Sequence, residues 1–311
     1  MTGLHVAASF GLERALQRLL TLSGSSNPDM LGSWGRTPLI CAAMEGHSGI
    51  VKLLLATGDV DINAQETGHG PAPQYLAADK RPPGNMLQAL MAILEGLTPL
   101  GVAILGGHEG VVRMLLATDK VDVNLGDHVK TTPLSYAIDL GLERIVRMLL
   151  DTWKVDFNAC DIFGRTPLTV AIANGHEVMV RMLLATGEVD VNLGHNDGAT
   201  PLCVAARKGH EGIVRMLLDT GKVDVNARTN SGRTPLSFAA GKGHVGVARM
   251  LLATGQVDVN AKAAARHVRF KADPDKGTWT PLQFALQRGH TAVAELLRAH
   301  GCEDTRPDFS F

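Results

Sequence analysis

Three side-chain types recur along this 311-residue chain at spacings that could do chemistry. Histidine returns as His47, His108, His176, His210, His244 and His290, in the manner of a metal ladder or a row of general bases. A cation returns as Lys52, Arg113, Arg147, Arg181, Arg215 and Arg249, in the manner of a stripe for a polyanion. Asparagine returns as Asn63, Asn124, Asn158, Asn192, Asn226 and Asn260. The histidines fail as a metal site on distance. Stacked helices stand roughly 8–10 Å apart, and zinc needs nitrogen at about 2.0–2.1 Å. The cations are expected to be neutralised, because Glu109, Glu143, Glu177 and Glu211 each stand four residues before an Arg, the favourable order for a helix-surface pair. The asparagines suit the entry to a turn. No phosphate-binding G-x-x-x-x-G-K-[ST], no G-x-S-x-G and no H-E-x-x-H occurs. Gly46-His47-Ser48-Gly49 has some letters of a nucleophile turn but belongs to a repeated connection. The sequence therefore assigns no catalytic residue, no metal and no cofactor.

The elements that carry these ladders are set by one phrase that occurs eight times, at Thr2, Thr37, Thr98, Thr132, Thr166, Thr200, Thr234 and Thr280. Most successive copies are 34 residues apart; the exceptions are 35, 61 and 46. A fixed period of this size means stacked supersecondary units. In the unit from Asp161 to Asn192, Thr166 is a helix N-cap and Pro167 takes the first helical position, where its missing N–H is no loss. Leu168 to Ile172 form a short buried helix, Asn174-Gly175 stops it, and His176-Glu177 opens a second helix with an apolar stripe through Val180 and Leu183. Val189-Asp190-Val191-Asn192 then leads to a turn and hairpin.

The order T-P-L-x-x-A, then G-H, then V-x-x-L-L, then D-V-N resembles the ankyrin repeat, with one residue added in the A-T-G-x-V-D-V-N stretch. That spelling is similar to long ankyrin arrays of filamentous fungi. Tetratricopeptide repeats share the 34-residue period but lack the hairpin and the Thr-Pro helix start. The resemblance implies an all-α repeat fold, an ankyrin solenoid of stacked helix-turn-helix units with β-hairpin or loop fingers. The expected organisation is one array over 1–311, with repeats starting near 2, 32, 93, 127, 161, 195, 229 and 275. The family's T-P-L-H is kept only at His5, so the local bonds of that histidine are expected to be lost elsewhere.

Function is expected where the period breaks. Insertions fall at about 64–93 and 261–276, both in finger regions. The first opens with a proline-rich loop and continues into an apolar helix from Met86 to Leu94, expected to close a gap between the second and third units or to roof a ligand. The second carries Lys262, Arg266, His267, Arg269 and Lys271 as a basic finger. The resemblance also implies that partners meet the finger tips and the ends of the first helices. Those positions are apolar early in the chain, with Phe10, Trp34, Met44, Leu105 and Leu140 beside Arg36. They run through Phe163 and Arg165, then turn basic, with Arg207, Lys208, Arg233, Lys242 and Arg288 beside Trp279. The leading function is a non-enzymatic scaffold for a protein partner with an apolar anchor and acidic groups.

A second reading is a small-molecule or catalytic pocket, cyclase- or isomerase-like, roofed by the 64–95 insertion. Its walls would be Trp34, Met44, Tyr75, Met86, Leu90, Leu94, Leu105 and Tyr136, holding an apolar small molecule. Its acid–base groups would be Glu45, His69, Asp79, His128 and Asp139. Net charge is −1, which gives no case for nucleic acid, and no apolar run would span a membrane. The dispersed Cys41, Cys160, Cys203 and Cys302 suit a reduced, cytoplasmic or nuclear monomer.

Overall fold

The structure, a computed structural model, describes residues 2–22, 27–32, 35–67, 96–264 and 278–303. The expected roofing helix from Met86 to Leu94 and most of the basic finger lie outside these residues. Among the described residues there are sixteen helices in eight pairs, and two short strands. The chain divides into two compact units, Met1–Ile162 and Phe163–Phe311.

Each helix pair is built the same way. A threonine caps the first helix and proline follows it. Thr37 Oγ1, for example, accepts from Ile40 N at 3.2 Å, ahead of the helix Pro38–Met44. The helix is buried on all sides, which suits its all-apolar sequence. The second helix, Ser48–Leu55, buries only Ile50, Val51 and Leu54 and turns Lys52 to solvent. In the unit Met1–Ile162 the first helices Gly3–Ser9, Pro38–Met44, Pro99–Leu105 and Pro133–Asp139 pack in sequence order, and the second helices do likewise. The unit Phe163–Phe311 repeats this with Pro167–Asn174, Pro201–Lys208, Pro235–Lys242 and Pro281–Gln287.

The helix pairs that flank the first insertion stack directly. Pro38–Met44 packs on Pro99–Leu105, and His108 Nε2 lies 2.9 Å from the Met44 carbonyl. The two pairs thus keep the contact that neighbouring repeats make elsewhere in this unit.

The ladders resolve into fasteners between neighbouring repeats. Each asparagine receives its own turn's aspartate, as expected for a turn; Asn226 N donates to Asp224 Oδ1 at 2.9 Å. Its amide also clasps the next repeat, with Asn226 Nδ2 donating to Gln256 O at 2.8 Å and Asp258 N donating to Asn226 Oδ1 at 2.7 Å. Asn63 makes the same clasp to Lys120 and Asp122, across the whole first insertion. The histidines seat against the glycine that ends the preceding repeat's first helix. Gly209 has φ +79°, and a Cβ there would stand 2.6 Å from the His244 ring. His244 Nε2 bonds the Arg207 carbonyl at 3.2 Å.

Two expectations are corrected. The glutamates do not pair with the arginine four residues on. Glu177 and Glu211 instead reach over the next repeat's second helix, where a Cβ on Gly212 or Gly246 would meet them. Glu109 likewise meets Arg144 of the next repeat, at 3.6 Å. The lost T-P-L-H bond is also replaced at several positions rather than absent. Thr166 N donates to Thr169 Oγ1, Thr234 N to Ser237 Oγ and Thr280 N to Gln283 Oε1, at 2.8, 2.9 and 2.9 Å. His5 itself bridges outward, to Thr2 Oγ1 and to the Arg36 carbonyl of the next repeat.

One backbone position departs from the pattern. Gly58, Gly187, Gly221 and Gly255 end their second helices with φ between +66° and +80°, and Trp153 takes the equivalent place at φ +55° with 81 % of its surface exposed. The thiols are quiet by contrast. Burial raises the Cys41 and Cys203 thiols above the ordinary range and pushes Cys302 up to about 11, while Cys160 is exposed.

Four outcomes follow for the folded protein. Asn226→Ala should lower the urea unfolding free energy by about 1–3 kcal/mol, since two bonds between repeats are lost, and Gly209→Ala should lower it by at least about 1–2 kcal/mol through its left-handed backbone alone. Trp153→Gly should instead raise it by about 1 kcal/mol. Titration of the native protein with a thiol-reactive disulfide should show Cys160 reacting promptly and the other three only on unfolding.

Candidate interaction surface

The unit Phe163–Phe311 contains a hollow of about 780 Å³. Its floor comes from the first helices. Phe238 and Phe284 occupy the fifth position of their phrases, TPLSF and TPLQF, and are 8 % and 2 % exposed. Its walls come from the fingers and the helix ends. Arg207, Lys242 and Arg288 stand at or next to the ends of three successive first helices. Arg233 rises from the finger between two of those helices. The Arg233 guanidinium lies 4.2 Å from the Phe284 ring centre and 5.3 Å from that of Phe238, while Arg207 lies 5.8 Å from Phe238. These are cation–π contacts, in which the ring faces of the apolar floor attract the guanidinium.

Trp279 closes one end. It sits in the strand Thr278–Trp279 (β2), which pairs antiparallel with Ala263–Ala264 (β1) at the base of the second insertion. Ala264 N donates to Ser231 O at 2.8 Å, so this base is fastened to the preceding finger. The Trp279 and Phe284 rings then meet edge to face with centres 5.3 Å apart. Thr229, Asn230, Ser231 and Gln287 supply neutral polar lining. Asn230 is itself fixed, N to Asp197 O at 2.8 Å and Nδ2 to Asn196 O at 3.0 Å.

The lining holds four cations and one anion, Asp197. Arg207, Lys242 and Arg288 make no ion pair with a described residue. Like charges gathered this way repel, and an arriving anion relieves the repulsion. The hollow is therefore chemically a receptor for negative groups with an aromatic floor.

Of the expected basic positions, Arg207, Arg233, Lys242, Arg288 and Trp279 come together here, and Lys208 does not. Lys208 is exposed one residue beyond Arg207. Phe163 and Arg165 lie together at a finger, the guanidinium 5.3 Å from the ring centre. Phe238 and Phe284 were not among the expected residues. Their signal is an aromatic residue inside the repeated phrase, at the position that Val170 takes in its own short buried helix.

In the unit Met1–Ile162 the expected apolar positions separate. Phe10 is 71 % exposed and Leu140 40 %, Leu105 is half-buried, and Trp34 lies outside the described residues. Met44 is only 5 % exposed, so it serves the core. Arg36 is drawn inward too, its Nε 2.7 Å from Glu66 in a largely buried ion pair.

For the second reading, His69, Tyr75, Asp79, Met86, Leu90 and Leu94 lie outside the described residues. Glu45, His128 and Asp139 are exposed, and the crevice beside Tyr136 is too narrow to admit a water molecule. The Tyr136 hydroxyl donates to the buried Asp127 carboxylate, whose pKa burial raises above its ordinary value. Among the described residues no three His, Cys, Asp or Glu side chains gather as a metal would require, and no helix is long and apolar enough to cross a membrane.

Comparison with curated protein sequences gives no match. Among solved structures the chain is similar to the ankyrin repeat domain of Bcl-3, which is described as a unique member of the IkappaB protein family. The two are 26 % identical with a TM-score of 0.62, over 77 % of this chain and 94 % of that one. The family model described as "Ankyrin repeats (3 copies)" matches residues 4–93, 74–161, 153–229, 188–263 and 222–308. With its capped helix pairs, interlocked fingers and matched repeats, the chain belongs to the ankyrin-repeat family.

Proposed function

We propose that this ankyrin-repeat protein is a non-enzymatic interaction scaffold, and that its hollow in Phe163–Phe311 docks an acidic segment of a partner protein with an apolar anchor. The observation that carries this reading is the gathering of Arg207, Lys242 and Arg288, without ion-pair partners among the described residues, over the Phe238–Phe284 floor. Arginine and aromatic side chains are the types that most often dominate binding energy. A volume of about 780 Å³ suits a few side chains of an extended segment. Likeness to the Bcl-3 domain supports a scaffold role, as does a family built from stacked units. Exposed Phe10 and Leu140 support an apolar contribution from the other unit. Free thiols suit a cytoplasmic or nuclear setting.

The test is fluorescence anisotropy with a labelled peptide of alternating glutamate and leucine. The wild-type protein should bind it, and raising salt should weaken binding. The triple variant Arg207→Glu, Lys242→Glu, Arg288→Glu should lose at least about tenfold in affinity, as expected when like charges face each other across an interface. Lys208→Glu, a surface charge beside the hollow, should bind within about twofold of wild type. Equal affinity of the triple variant and the wild type would overturn the assignment of the hollow.

A further inference from the structure

We infer that the negative group for which this hollow is built is a phosphorylated serine or threonine side chain on the docking segment. The inference rests on the reading of the hollow as a site for an acidic segment and sharpens it from any acid to a dianion.

Charge count comes first. Among the described residues Arg207, Lys242 and Arg288 line the hollow without ion-pair partners against Asp197, an excess of two. One carboxylate cancels one of these, whereas a phosphorylated side chain brings about −1.5 to −2 charges on one group. The cations also differ in kind and exposure. Arg233 lies over two aromatic rings. Arg207 lies over one ring, and Lys242 and Arg288 are exposed at helix ends. A guanidinium fork at the floor with exposed cations above suits a tetrahedral group with three acceptor oxygens better than a planar carboxylate with two.

Position comes second. The cations come from three successive first helices and one finger, so they approach a single volume from several directions. That is the arrangement in which an Arg cluster recognises a phosphorylated segment. The exposed rim leaves room for the neighbouring residues of an extended chain. The Trp279–Phe284 edge-to-face pair offers one of them an apolar seat.

The competing occupant is single-stranded nucleic acid, which needs aromatic faces free for bases to stack on. Here Phe284 is 2 % exposed and Phe238 8 %, and Arg233 covers both rings. A side-chain phosphate fits this floor and a stacked base does not.

The experiment compares three labelled short peptides, identical and leucine-flanked except for a central serine, glutamate or phosphoserine. Binding is measured by anisotropy at physiological salt, beside the alternating glutamate–leucine peptide. The phosphoserine peptide should bind at least about tenfold more tightly than the central-glutamate peptide. In the double variant Lys242→Glu, Arg288→Glu that preference should fall to within about twofold. A circular-dichroism melt of the double variant, matching the wild type, keeps the comparison one of folded proteins. Glutamate and phosphoserine peptides of equal affinity would overturn the phosphate inference and leave the acidic-segment reading standing. Binding of the glutamate–leucine peptide without binding of the phosphoserine peptide would do the same. Failure of every peptide would overturn both. Displacement of the phosphoserine peptide by a single-stranded oligonucleotide at lower concentration than by unlabelled phosphopeptide would assign the hollow to nucleic acid instead.

Discussion

No repeat in this chain can bury its own apolar surface. The first helix of each pair is so short and so apolar that it must be covered on every side, and one partner helix covers only one of them. Leu39, Ile40, Ala42 and Ala43 reach complete burial because the neighbouring pairs lie on both sides of them. The stack is thus the smallest stable object, and stability belongs to interfaces between repeats as much as to repeats. Every recurring residue is best understood as serving that interface.

The polar ladders make the point in hydrogen bonds. An asparagine amide has both a donor and an acceptor, and each clasping asparagine spends both on the next repeat. That reciprocal geometry tolerates little sliding, so it fixes the register of one repeat on another. The Gly–His contact fixes the same register from the other end of the helix pair, since the ring fills the space that any Cβ would take. Register set in this way survives an insertion. Asn63 clasps Lys120 and Asp122 as closely as Asn226 clasps Gln256 and Asp258.

The same economy creates the candidate site. Stacking places the end of each first helix beside its counterparts, so residues a full repeat apart in sequence become neighbours in space. Arg207, Lys242 and Arg288 are ordinary surface cations one at a time. Set on adjacent helices, with Arg233 over the Phe238 and Phe284 rings, they become a concentrated positive site. Nothing in this requires strain or an unusual backbone. Trp153 is the contrasting case: a left-handed backbone carries a large exposed ring where four other repeats use glycine.

Much of this was legible from residue types alone. Thr-Pro marks a capped helix start, glycine a left-handed stop, and a fixed period a stack, because each depends on chemistry within one repeat or its copy. The basic positions were legible for the same reason, as a phase in the period. What the sequence left undecided involved choices between near-equal partners. Glu177 could reach Arg181 on its own helix or the next repeat's helix start, and only packing across the interface selects the second. Met44 and Leu105 share a phase in the repeat, yet one is buried and the other half-buried. The aromatic floor was hidden because Phe238 and Phe284 read as core and are core; only the tertiary structure shows that the core ends there, beneath Arg233. The sequence by itself determined the units, their order and the phase of their charged residues, all local or periodic quantities. The convergence of four cations on one hollow was decided by tertiary structure, because it depends on distances between repeats that no single repeat encodes.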